Sequence, residues 1–131
     1  DLNKLTLTLV NNIFTLFYKD PKNLSVLHQE IFNNKINENP SLSYEESNIL
    51  FIIFQTIESV YRMYYVSGKE STKLSKDQYE GWDNFLLLVT SSPKAQLFYK
   101  SNKHLFSSLN FEDYIAKYFK KNKIYVKGLL D

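Results

Sequence analysis

Few side chains in this 131-residue chain have the type and spacing that chemistry needs. The histidines are His28 and His104, and neither has a partner at the His-x-x-x-His spacing that puts two ligands on one helix face. His28 and Glu30 fall on different faces of a helix, so no metal site is expected. There is no cysteine, which removes thiolate metal sites, a cysteine nucleophile and any disulfide framework. The serines form no Gly-x-Ser-x-Gly elbow and no convincing Ser-x-x-Lys. Ser67-Gly-Lys-Glu-Ser71 looks like a phosphate loop, but Met63 stands where that loop needs its first glycine, and a helix ends here rather than begins. Gly68 reads instead as a helix C-cap. Every catalytic template tested lacks a key residue, so the chain is expected to be non-enzymatic and to need no cofactor.

Two charged constellations remain. Glu58 and Arg62 lie four apart on one helix, an ordinary favourable pair. Arg62 is the one arginine among 16 basic residues, and arginine suits bidentate bonding that lysine fills poorly. If the following helix packs back antiparallel, Arg62 is placed to bridge Glu58 and Asp83, with Glu80 nearby. A plain interhelical or solvated ion pair explains the same residues. The second constellation is Lys117, Lys120, Lys121, Lys123 and Lys127, with no acid from Ala116 to Leu130. Tyr118, Phe119 and Tyr125 interleave with them, as in surfaces that bind single-stranded nucleic acid or anionic membranes. Lysines also complement the dipole at a helix C-terminus, and the aromatics suit a core face. A net charge of +2 does not favour nucleic acid. The ten tyrosines and ten phenylalanines could line an apolar ligand cavity, with Arg62 or Gln55 pointing in, or simply fill a core. The sequon Asn23-Leu-Ser25 carries little weight in an asparagine-rich chain.

The elements that would position these residues are helices. Three glycines and three prolines are too few for the turns of a small β-sandwich or barrel. Leu2, Leu5, Leu9, Ile13, Leu16 and Phe17 follow helical spacing, although Leu5 to Leu9 also alternates like a strand. Asp20-Pro21 opens a short helix with Leu24, Leu27 and Ile31. Residues 33–41 are polar and read as a loop. Ser43-x-x-Glu46 is a capping box for a long helix over about 44–66, whose polar positions Asn48, Gln55, Ser59 and Arg62 form one narrow stripe. A helix apolar on its other sides belongs at the centre of a fold. Ser75-x-x-Gln78 opens a helix to about Thr90, with Tyr79, Trp82, Phe85, Leu86 and Val89 inward. Ser92-Pro93 starts a short helix bearing Leu97 and Phe98. Asn110 caps a last one bearing Phe111, Tyr114, Ile115, Tyr118 and Phe119. The expectation is an all-α single domain over 1–131, an irregular bundle of five or six helices around the 44–66 helix, with 120–131 as a loosely attached tail.

Abundant lysine, asparagine and isoleucine are the mark of an AT-rich genome, so part of the charge reflects mutational bias. The chain begins at Asp1, which suggests processing or shortening. It holds no signal peptide and no apolar run of the roughly 20 residues that span a bilayer.

The order of features resembles short bacterial proteins of unknown function. The likeness rests on an apolar first helix, Asp20-Pro21-x-x-Leu24, and a long helix with Glu58 and Tyr61-Arg62. It continues through Leu74-Ser75-x-x-x-Tyr79-x-x-Trp82, Leu87, Ser91-Ser92-Pro93 and Phe98-Tyr99. Most of residues 10–119 are covered, by caps and core aromatics rather than by a functional motif. Members often carry a transmembrane helix just before this region. The resemblance therefore implies a membrane anchor in a segment outside this chain, and it implies no activity and no functional residue. The favoured expectation is an interaction domain that binds a protein partner or itself, either cytoplasmic or tethered with this domain in the aqueous phase. Exposed apolar residues of the first helix, or Leu129 and Leu130, would serve association.

Overall fold

The computed structural model describes residues 4, 8, 11, 40–66 and 76–131. Among them every regular element is helical and no strand occurs. In chain order these are α1 (Tyr44–Tyr61), a π-helical turn that continues it (Arg62–Val66), α2 (Lys76–Ser91), α3 (Pro93–Asn102), a 3₁₀ turn (Lys103–Leu105) and α4 (Phe111–Lys120). None of the described helices is long and apolar enough to cross a membrane. The helix expected over 21–31, most of the 33–41 loop, Gly68, the Ser75-x-x-Gln78 capping box and His28 lie outside the described residues. Of the first expected helix, Lys4, Thr8 and Asn11 are described, and all three are helical. The Thr8 hydroxyl donates to the Lys4 carbonyl at 2.9 Å, a helical i to i−4 bond.

The capping box that opens α1 is complete. Ser43 Oγ accepts from the Glu46 N–H at 3.1 Å, and Glu46 Oε1 accepts from the Ser43 N–H at 3.0 Å. The other Glu46 oxygen is bonded by Lys94 of α3, so the cap also ties two helices. Burial pushes the Glu46 carboxyl up, but the bonds from Lys94 and Ser43 outweigh it and hold the group below its ordinary value. Leu50, Ile53, Phe54, Ile57, Val60 and Tyr61 are buried along one face of α1. The helix is less enclosed than its sequence suggests, since Phe51 and Ile52 are each 38% exposed beside Asn48, Gln55 and Arg62.

Helix α1 packs on α3, and α2 packs on α3 and α4. Trp82, Leu86 and Val89 of α2 are buried as expected. Ser92 caps α3 by accepting from the Ala95 N–H at 3.2 Å, with Pro93 in the first turn. Phe98 and Tyr99 are then buried. Helix α4 starts differently from expectation. Asn110 makes no side-chain cap bond. It takes the left-handed conformation (φ 62°), which turns the chain so that its carbonyl accepts from the Tyr114 N–H at 3.0 Å. Asparagine is among the few non-glycine residues that visit this region readily.

The tail is not loose. Residues 121–131 fold back over α3, because Gln96 is fully buried and two of its amide's three bonds go to them. Its Nε2 donates to the carbonyls of Thr90 (3.1 Å) and Lys123 (2.9 Å), and its Oε1 accepts from the Tyr125 N–H at 2.7 Å. Asn122 Nδ2 reaches Thr90 Oγ1 at 2.8 Å and the Tyr118 carbonyl at 3.1 Å. Lys100 and Lys103 each donate to a tail carbonyl at 2.6 Å, those of Lys127 and Asp131. Val126 and Leu129 are buried, and Gly128 makes the turn between them at φ +77°. Replacing Gln96 with Leu would strand two carbonyls and one N–H, at about 1–3 kcal/mol for each buried group left unpaired. Urea unfolding should show Q96L less stable by about 3 kcal/mol, with hydrogen exchange of the Tyr125 amide speeding up before that of α3.

Candidate functional site: a tyrosine network behind an exposed apolar face

The site is built around the end of α1. Its last α-helical residue is Tyr61, and the π turn that follows adds one residue per turn. In this geometry the rings of Tyr61 and Tyr65 stack, 5.7 Å apart and inclined at 16°. Both rings meet Tyr114 of α4, at 4.7 Å and 4.9 Å. Tyr61 also contacts Phe111 at 5.4 Å. Such offset and tilted pairs add to area burial.

Behind the stack the hydroxyls form a directed chain. Trp82 Nε1 donates to the Tyr114 hydroxyl at 2.9 Å. Tyr118 donates to the Asp83 carboxylate, and the Tyr114 and Tyr118 hydroxyls are bonded to each other. A phenol has one proton, and that of Tyr118 is spent on Asp83. Tyr118 must therefore accept from Tyr114, and the direction runs from Trp82 through Tyr114 and Tyr118 to Asp83. Burial pushes the Tyr114 hydroxyl up from its ordinary value. It does the same to Tyr118, with donation to Asp83 as the next cause. Tyr61 is raised by burial and then by the Asp113 charge. None of these three phenols is a phenolate at neutral pH, so the network cannot supply a tyrosinate base or nucleophile there. It can hold neighbouring groups in place.

What it holds is the loop between α3 and α4. The Tyr61 hydroxyl donates to the Leu109 carbonyl at 2.6 Å, and the Ser108 N–H donates to Glu58 Oε2 at 3.2 Å. Phe106 is buried under the loop, 6.0 Å from Phe51 and 5.8 Å from Phe54. Leu109 is thereby presented 72% exposed and Leu105 49% exposed. Phe51, Arg62 and Tyr65 are exposed on the helical segment that binds this loop. The loop also borders an open depression of about 520 Å³ whose lining mixes Phe106 and Leu109 with Lys103, His104, Asn110 and Glu112. No group of three His, Asp or Glu side chains among the described residues could hold a metal ion.

The expected ion cluster is not assembled. Glu58 is buried and gives its carboxylate to Ser108, Asp83 takes Tyr118, and Arg62 is exposed. The two ion pairs among the described residues are Lys94–Glu46 and Lys103–Glu112. The reason is packing: α2 lies on α3 and α4 rather than back along α1, so Asp83 meets α4. Gln55 is exposed like Arg62, and neither lines the depression beside the loop. Lys117, Lys120, Lys121, Lys123 and Lys127 are all exposed. Two of them sit over rings, Lys121 at 5.5 Å from Tyr118 and Lys123 at 5.0 Å from Tyr125. Sequence reasoning placed Trp82, Tyr114 and Tyr118 in the core but missed their hydroxyl chain. The available signal was tyrosine, rather than phenylalanine, at core-facing positions four apart.

The raised phenols make a pH prediction. Their folded values lie above the ordinary 10.0, so their contribution is fully present below pH 10 and is lost as pH rises toward the folded values. Urea unfolding between pH 8 and pH 11.5 should show stability falling above about pH 10, and Y118F should fall less steeply. Equal slopes would remove Tyr118 from this account. No known protein family, curated protein or solved structure matches the chain.

Proposed function

We propose that this chain is a non-catalytic helical interaction domain. It binds another protein, or a second copy of itself, through the face formed by Phe51, Arg62, Tyr65, Leu105 and Leu109. The observation that supports this reading is Leu109, 72% exposed on a loop whose backbone is tied to α1 by Tyr61 and Glu58. A large apolar side chain held out to water on a fixed loop loses little further freedom when a partner covers it. The company it keeps is of the right kind, since tyrosine and arginine are over-represented among residues that dominate binding energy. The finer architecture belongs to the same proposal: an irregular bundle of five or six helices around the 44–66 helix. So does kinship with short bacterial helical proteins, and with it a membrane tether in a segment outside this chain.

Sedimentation across a concentration range, on the wild type and on the double variant L105D/L109D, tests the self-association arm. A photo-reactive residue at position 109, used in the native cell, tests the partner arm. The expected outcome is association that L105D/L109D weakens by at least about tenfold while helical content is unchanged, or one specific species cross-linked through position 109. A wild type that stays monomeric and gives no cross-link dependent on position 109 overturns the proposal.

A further inference from the structure

The net charge of +2 conceals an asymmetry. Residues 94–131 carry eight lysines against three acids, whereas residues 1–93 carry eight basic side chains against eleven acidic ones. Charge gathered at one end of a chain points to an anionic partner more than the total does. The fold gathers it further, because residues 121–131 lie between α3 and α4. On one side Lys100 and Lys103 donate to the carbonyls of Lys127 and Asp131. On the other, Leu129 and Leu130 share a cavity of about 110 Å³ with Ala116 and Lys120 of α4. Tyr99 of α3, whose buried hydroxyl has no hydrogen-bond partner among the described residues, lines the same cavity. Val126 and Leu129 are buried in this seam, which leaves Ile124 (39% exposed), Lys127 and Leu130 (38% exposed) on its outer side. Lys117, Lys120 and Lys121, spaced i, i+3 and i+4 on α4 and its C-cap, are exposed along its edge. Seven lysines from Lys100 to Lys127 thus meet the carboxylates of Glu112, Asp113 and Asp131, the first of them paired with Lys103. Asp83, bonded by Tyr118, adds a fourth and leaves the lysines well in excess.

We propose that this surface docks on an anionic lipid bilayer, with its lysines at the headgroups and Ile124 and Leu130 inserted between them. The charge excess calls for an anionic partner. What interrupts the lysines favours a bilayer over nucleic acid. A phosphate backbone offers nothing to two exposed aliphatic side chains, whereas a headgroup layer takes lysines and apolar side chains together. Neither tyrosine of this surface offers an open ring on which a base could stack. Tyr118 is buried with Lys121 over its ring, and Tyr125 is half-buried with Lys123 over its ring. The cations are all lysine, a point charge on a flexible stem, which suits a diffuse layer of headgroups better than a fixed bidentate partner. The backbone bonds from Gln96, Lys100 and Lys103 already hold the tail in place, so docking orders little more of the chain. The surface shares no residue with the Leu109 face and stands or falls without it.

The test uses the whole 131-residue chain. Co-sedimentation is measured with vesicles of phosphatidylcholine alone and of phosphatidylcholine with about 30% phosphatidylglycerol, at about 50 mM and about 500 mM salt. A single-stranded oligonucleotide is titrated at the lower salt. The expected result is binding to the anionic vesicles alone, sharply weakened at the higher salt. K120Q/K127Q should weaken it by at least about tenfold, since each lysine near an anionic surface contributes about fivefold. I124S/L130S should weaken it severalfold with helical content unchanged, and L105D/L109D should bind like the wild type. Any of four results overturns the proposal: no binding to the anionic vesicles, equal binding to both kinds, tighter binding of the oligonucleotide, or undiminished binding by either K120Q/K127Q or I124S/L130S. Loss of binding in L105D/L109D would overturn it too, by moving the contact to the Leu109 face.

Discussion

The Tyr61 hydroxyl lies 2.6 Å from the Leu109 carbonyl, and much of the described structure depends on that bond being made. Tyr61 is 6% exposed, so its phenol has little access to water as a partner. An unpaired hydroxyl there would cost about 1–3 kcal/mol, a large share of the stability of a domain this size. The loop from Lys103 to Asn110 meets that demand by bringing a carbonyl to it. Once Leu109 is fixed, Ser108 falls against Glu58, whose buried carboxylate needs a donor just as much. Two polar groups on one helix thus fix the end of a loop whose middle is already held by the buried Phe106. The side chains of Leu105 and Leu109 remain outside as a result.

The aromatic lattice does the complementary work. Phe54 touches Phe98, Tyr99 and Phe106, and Phe106 also touches Phe98 and Phe111. Rings from α1, α3, α4 and the loop are therefore one contact set. Flat rings fill the gaps among short helices with few rotamers each, so helices α1 to α4, of ten to eighteen residues, share one core among the described residues. In such a core the distinction between phenylalanine and tyrosine becomes structural. Each tyrosine brings a hydroxyl that must be paired, and the pairing specifies which helix lies against which. Tyr118 cannot reach Asp83 unless α4 crosses α2, and Trp82 cannot reach Tyr114 otherwise.

This explains which parts of the molecule were legible in its sequence. Caps were legible because their signals are local: Ser43 with Glu46, and Ser92 with Pro93, do what their spacing implies. Buried faces were legible from period, as with Leu86 and Val89 or Ile115 and Phe119. Partners across helices were not. Glu58 and Arg62 are four apart and look like a pair, yet Glu58 is won by a backbone N–H fifty residues on. An amide donor inside the fold serves a buried carboxylate without burying a second charge. Gln96 and Asn122 carry no motif at all. They hold the tail because the Thr90, Lys123 and Tyr125 backbone groups that Gln96 bonds, and the Thr90 hydroxyl that Asn122 bonds, come within reach only after α2 and α3 are packed. The tail looked loose because its lysines hide that it is held by its backbone and by two apolar residues, Val126 and Leu129.

The same accounting separates Tyr99 from its neighbours. Tyr61, Tyr114 and Tyr118 each spend their proton on a protein acceptor, and each bond fixes an element. Phenylalanine at those three positions would remove a constraint that the fold uses. At position 99 phenylalanine would remove nothing visible within the chain, and it would avoid burying an unpaired hydroxyl. A buried polar atom without an internal use marks a place where the sequence is not optimised for the isolated fold. It lines a cavity to which the Gln96-anchored tail contributes Leu129 and Leu130. The tail's docking and the unpaired hydroxyl therefore belong to one arrangement, in which the backbone bonds of residues 121–131 shape a cavity around Tyr99.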